Sequence, residues 1–276
     1  MKLSLCNEVL REWPFTKQCE FAASLGYQGL EIAPFTLFRD TAELGLSLAE
    51  RVRSQTRAQG LTISSLHWLL VQPEGLSMVS PDRAVQQRTL DWITRLIDFA
   101  HTCGAEVLVH GSPAQRNPVA GQDVREATVQ LEGMLGRIAP LARDAGVTYC
   151  LEPLSRKETS VVNTVAEAAA IVGRIGSPHL RTMLDASAAA QSEVAPIADV
   201  LDRYLASGDI AHIQVNDANR RGPGQGDTDL LPLMQVLRRH HYAGWIAVEP
   251  FVYKPDGPAT ASFSAGYMLA LERAAS

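Results

Sequence analysis

The chain is poor in cysteine, and what it has is scattered. Cys6, Cys19, Cys103 and Cys150 form no C-x-x-C pair, which argues against a disulfide framework or a thiolate zinc site and for reduced, buried thiols. Runs of like charge are also missing. With 25 basic and 30 acidic residues and no block of five of one sign, nothing offers the basic footprint that grips a phosphate backbone, so no nucleic acid partner is expected. No apolar stretch approaches the roughly 18 residues of a membrane helix. The opening segment meets Asn7 and Glu8 too early for a secretory core, so no membrane partner is expected and the cytoplasm is the expected location. P-loop, H-E-x-x-H and G-x-S-x-G patterns are absent as well, which removes the common nucleotide, zincin and serine-hydrolase signatures.

What remains is 276 residues with 46% hydrophobic content and a net charge of -5. That is enough to bury a sizeable core. Gly26, Gly60, Gly104, Gly146, Gly176 and Gly208 each close a helical pattern and precede a short apolar run, as expected of a residue that takes positive φ where a helix ends. Gly244 repeats the pattern before the last run. The intervals between these glycines run from 30 to 44 residues, the length of one strand plus one helix.

Apolar runs place strands near 3–6, 29–33, 61–67, 106–110, 147–152, 180–185, 210–215 and 245–249. Between them, Ile93, Leu96, Ile97 and Ala100 follow helical spacing, as do Ile197, Val200, Leu201, Tyr204 and Leu205, so each helix has one face to bury. Eight βα alternations without a linker predict an α/β fold, a single (β/α)8 TIM barrel over residues 1–276, ahead of an open doubly wound sheet. The run Gly222-Pro223-Gly224-Gln225-Gly226 lacks G-x-G-x-x-G spacing and reads as a turn-forming loop.

In such a barrel the strand C-termini face the catalytic mouth. Glu152, Asp185 and Glu249 end the fifth, sixth and eighth strands, each after an apolar run. Three unpaired carboxylates converging on one rim would repel, and a divalent cation between them relieves that. The seventh strand supplies a neutral fourth donor, Gln214 or His212, since residues two apart share a face. Such a set suits Mn²⁺, Mg²⁺ or Co²⁺ better than Zn²⁺, which is retained as an option. The competing reading makes each carboxylate a rim residue that caps the next helix or pairs with an arginine.

These strand ends, together with Leu151-Glu152-Pro153, Val162-Asn163-Thr164 with Glu167-Ala168, Leu184-Asp185, His212-Ile213-Gln214, residues 219–226 and residues 244–249, resemble the xylose isomerase-like TIM barrels. That family includes the sugar phosphate isomerase/epimerase proteins, with ketose 3-epimerases, inosose isomerases and hydroxypyruvate isomerases. The resemblance spans nearly the whole chain. It implies metal ligation by Glu152, Asp185, Gln214 and Glu249, with Gln214 preferred to His212 through the register of the Asn219-Arg220 loop.

It also implies that Glu152 and Glu249 are the catalytic proton-transfer pair, working through a metal-stabilised enediolate on a small carbohydrate-like ketose, keto-polyol or hydroxy-carbonyl compound. Arg220 matches a substrate-contacting position. His67, His110, His212, Trp13, Trp68 and Phe251 are further expected at or near the mouth, with Glu31 a weaker candidate and Glu158 and Asn163 in the supporting loop. One departure stands out. Ketose epimerases usually carry a histidine three residues after the sixth-strand aspartate, and here that position is Ala188, which cannot polarise a carbonyl. A lyase or dehydratase using the same enolisation, or a non-catalytic sugar-binding barrel, are the alternatives. Related barrels often pair, so a homo-oligomer is expected.

Overall fold

A computed structural model describes residues 1–275. Eight parallel strands, β1 (Lys2–Cys6), β2 (Gly29–Ile32), β3 (Thr62–Leu66), β4 (Val107–His110), β5 (Thr148–Leu151), β6 (Leu180–Asp185), β7 (Ile210–Val215) and β8 (Trp245–Val248), close in chain order. Closure is made by β8 against β1, where Lys2 pairs with Trp245 and Leu5 with Val248. Helices cover the outside, so the fold is a TIM barrel. No helix among the described residues is long and apolar enough to cross a membrane.

The local causes are those expected of βα units. Gly26, Gly60, Gly104, Gly146, Gly176 and Gly208 all have φ between 69° and 87°, a conformation that costs an L side chain dearly. Gly244 differs. The left-handed residue before β8 is His241, with φ of 49°, and Gly244 is small for another reason: a Cβ there would overlap the Tyr242 phenol. Helix starts are equally legible. Thr164 caps the helix Val165–Ile175 in a reciprocal box with Glu167, so the Asn163-Thr164-Glu167 motif works locally as a helix start.

The apolar stripes pack as spaced. Ile93, Leu96, Ile97 and Ala100 are buried on the helix Arg83–Cys103, and burying each large side chain stabilises the fold by about 1.5–3 kcal/mol. On the helix Ile197–Ala206, Val200 and Leu201 are buried while Ile197, Tyr204 and Leu205 pack at the margin. Inside the barrel Val107 and Val109 cluster with Cys150 and Met183. All four cysteines are free and buried.

Candidate metal centre and active site

Glu152, Asp185 and Glu249 stand at or just beyond the ends of β5, β6 and β8, with exposures of 7%, 4% and 4%. Their oxygens come within 4.8 Å of one another. Burial first, and repulsion by the neighbouring carboxylates second, pushes Glu152 and Glu249 well above the usual carboxylate range. Burial also raises Asp185, to about 7, against the opposing pull of the Ala188 N–H and the Asn216 amide. Three acids in this state are short of positive charge. Asp185 Oδ1 does cap the following short helix through the Ala188 N–H at 2.7 Å, while Oδ2 accepts from Asn216 Nδ2 at 2.7 Å. Capping and clustering are therefore compatible in one residue.

Two further atoms point to a cation. Glu249 Oε2 and Gln214 Oε1 are buried oxygens without a hydrogen-bond partner, an arrangement that is costly unless something electropositive meets them. Gln214 pairs in register with Asp185 on one side and Ala247 on the other. Three carboxylates and a free amide oxygen thus fit a divalent ion. His212 is differently engaged: its Nε2 lies 2.7 Å from Glu31 Oε2. Burial alone would raise Glu31, but His212 and His67 hold it well below the ordinary range.

The mouth is walled by side chains from several strand ends. His67 Nδ1 sits 3.0 Å from Glu249 Oε1. Trp68 meets Phe251 edge to face at 6.3 Å, and Phe251 in turn carries the Arg220 guanidinium 4.4 Å from its ring centre. Arg220 lies 3.7 Å from Glu158, whose other oxygen accepts from the Ser155 N–H and hydroxyl. Beyond the carboxylates a cavity of about 220 Å³ opens between Ala188, Gln191, Glu158 and Arg220. A larger hollow, about 490 Å³, lies at the opposite end around Met1, Arg238 and Tyr242, away from the carboxylates. The chemistry, rather than the size, marks the site.

Loop geometry follows from short polar residues. Arg220 takes φ of 68°, and its carbonyl accepts from the Phe251 and Val252 N–H groups. Asp217 accepts from Thr228 and the Asn219 N–H, so residues 217–228 form the turn-rich loop that carries Arg220. Asn163 Nδ2 donates to the Leu154 and Thr159 carbonyls, shaping the loop that presents Glu158 without facing the cavity itself.

Two expected site residues are elsewhere. His110 does not face the mouth: Val107 and Val109 occupy the interior face of β4, so alternation turns His110 outward. There its Nδ1 meets the Tyr149 hydroxyl at 2.9 Å, and burial followed by Arg116 pushes its pKa down to about 3. Trp13 packs edge to face on Phe21 at 5.2 Å and under Lys17, and it lines neither hollow at the mouth.

Other contributors carried no sequence signal strong enough to single them out. Arg116 is fully buried, donating from Nη1 to the Glu152 carbonyl at 2.7 Å and more weakly to that of His110. Burial lowers its pKa to about 10 against the pull of Glu152 and Glu158. Asn216 joins three strand ends, donating to Asp185 and the Glu249 carbonyl and accepting from the Ser187 N–H. Gly111 lies against Glu152, where a Cβ would overlap Oε2.

A family model described as xylose isomerase-like TIM barrel matches residues 19–270. The chain is similar to a D-psicose 3-epimerase of Agrobacterium fabrum, 28% identical over 250 residues, covering 87% of this chain and 81% of that protein. Among solved structures it resembles a D-psicose 3-epimerase crystallised in the presence of D-fructose, with a TM-score of 0.82, 21% identity and coverage of 99% and 98%. A 3-keto-D-glucoside 4-epimerase from E. coli superposes with a TM-score of 0.83 at 18% identity, covering 98% of this chain and 99% of that one. At these identities the structural likeness speaks for the fold alone.

Proposed function

Because the chain belongs to the xylose isomerase-like TIM barrel family, we propose that it is a divalent-metal-dependent epimerase of a small ketose, inverting the carbon beside the carbonyl. The observation that carries this reading is the meeting of two glutamates, Glu152 and Glu249, with Asp185 in one buried cluster. Likeness to a curated ketose 3-epimerase supports the reaction class.

Glu152, Asp185, Glu249 and Gln214 would hold the metal, which when bound would polarise the ketone and acidify the neighbouring C–H. Glu152 and Glu249 approach from β5 and β8, so one takes a proton from one face of the substrate carbon and the other returns one to the opposite face. His67 engages Glu249 Oε1 and so fixes the carboxylate, leaving Oε2 toward the position the metal would take. Arg220 and Glu158 bind substrate oxygens at the rim. Where the family usually has histidine, Ser187, Gln191 and Arg220 line the space beside Ala188 and would supply the donors. Trp68 and Phe251 form the apolar wall that excludes water from the reacting carbon.

Incubation with a panel of ketoses and Mn²⁺ in D₂O tests the reading. Interconversion of a 3-epimer pair with deuterium uptake is expected. Glu152→Gln and Glu249→Gln should each lower interconversion by about 10²–10⁴-fold, each keeping exchange from one epimer of the pair only. Undiminished interconversion in both variants would sink the two-base assignment, and release of a leaving group without epimer would mark a lyase instead.

A further inference from the structure

Four donors converge on the Glu31 carboxylate of β2, which is wholly buried. Cys6 Sγ at 2.9 Å and Gln214 Nε2 at 2.7 Å reach Oε1. Ser65 Oγ at 2.5 Å and His212 Nε2 at 2.7 Å reach Oε2. A carboxylate offers about four lone-pair sites, so Glu31 is saturated and has none left for a cation. Its role lies in what it orients.

The Gln214 amide turns its NH₂ group to Glu31, where Nε2 donates to Oε1. The amide is planar, and its carbonyl oxygen is thereby directed away from Glu31, where it is buried and partnerless. Left to itself, a glutamine beside three carboxylates would present its NH₂ group to them and close the site to a cation. Glu31 competes for that NH₂ group and wins it. It also draws in the His212 ring nitrogen that would otherwise rival the amide as the β7 donor.

We propose that Glu31 is a positioning residue that locks Gln214 with its oxygen free, so that the centre offers only oxygen donors and selects a hard cation such as Mn²⁺ or Mg²⁺ over Zn²⁺. This inference rests on the metal-dependent reading above. It concerns the orientation of one amide, and that can fail while the reading stands.

Calorimetric titration of metal-free protein with Mn²⁺, followed by the Mn²⁺ electron spin resonance signal, tests it without any assay of turnover. Wild-type protein is expected to bind Mn²⁺, and Glu31→Gln, with unchanged circular dichroism, to bind it at least about tenfold more weakly. Gln214→His can satisfy Glu31 with one ring N–H and present the other nitrogen, so its Zn²⁺ to Mn²⁺ preference should rise by about tenfold or more. Affinity in folded Glu31→Gln within about twofold of wild type overturns the inference and leaves the metal reading intact. If Glu31→Gln does not fold, the Gln214→His preference decides, and an unchanged ratio overturns the inference. Absence of Mn²⁺ binding by wild-type protein overturns both.

Discussion

His67 and Glu249, which are 182 positions apart in the chain, meet at the barrel mouth with Nδ1 3.0 Å from Oε1. His67 follows β3 and Glu249 follows β8, so only closure of the barrel brings them together. The contact fixes one carboxylate oxygen and leaves the other open to the site.

His67→Phe should therefore preserve the ring's volume and lose the hold on Glu249. A hydrogen bond to a charged group is worth about 1.5–3 kcal/mol, which corresponds to a fall in kcat of roughly 10- to 150-fold. Steady-state kinetics on the epimerised ketose would measure it. An unchanged kcat would remove His67 from the positioning of Glu249.

Gly111→Ala probes the other glutamate. Its Cβ would overlap Glu152 Oε2, and because backbone φ at Gly111 is not in the left-handed region, the substitution acts through sterics. Displacing a reacting group by ~1 Å can cost about 10²-fold. We expect that loss with a normal thermal transition, and full activity would show that Glu152 does not work from this position.

The acid cluster makes the metal-free protein sensitive to base. Asp185 is raised to about 7 and Glu152 and Glu249 lie well above their usual range, so the folded chain holds protons that the unfolded chain releases. That stability is fully present below the unfolded carboxylate values, near pH 4, and is lost as pH rises, through about 7 for Asp185 and further up for the two glutamates. Calorimetric midpoints of metal-free protein should fall above about pH 6.5, where His110, whose lowered pKa adds stability with rising pH up to the unfolded histidine value, no longer opposes the acids. Saturating Mn²⁺ should flatten the fall, because a bound cation favours the ionised acids. A metal-free profile that stays flat above about pH 6.5 would contradict the clustering.

Arg116 is expected to matter for stability. Arg116→Ala empties a fully buried volume and strands the Glu152 and His110 carbonyls that Nη1 serves. Losses of about 2–5 kcal/mol are usual for large buried side chains. Urea denaturation would read the change directly, and a value below about 1 kcal/mol would mean that the pocket refills or the carbonyls find other donors.

Much of this was written locally. Glycines with φ above 60° after six helices, apolar stripes at helical spacing and carboxylates closing apolar strands are properties of short segments, and they were enough to read eight βα units and the three acids of the cluster. Gly244 and His110 show where local reading fails. Gly244 answers to the Tyr242 ring rather than to its own backbone angle. β4 is buried on both faces, so its pattern holds no information on which residues point inward, and His110 took the outer face.

The sequence by itself determined the barrel and the residues at its strand ends, because positive-φ glycines, helical periodicity and strand length act over a few residues. Tertiary structure alone decided how those residues are wired. Glu31 takes its partners from β1, β3 and β7, and Arg116 reaches Glu152 from 36 positions away. Hydrogen bonds and charge repulsion in a buried site depend on distances of a few ångströms, and closing the barrel sets those distances between residues far apart in sequence.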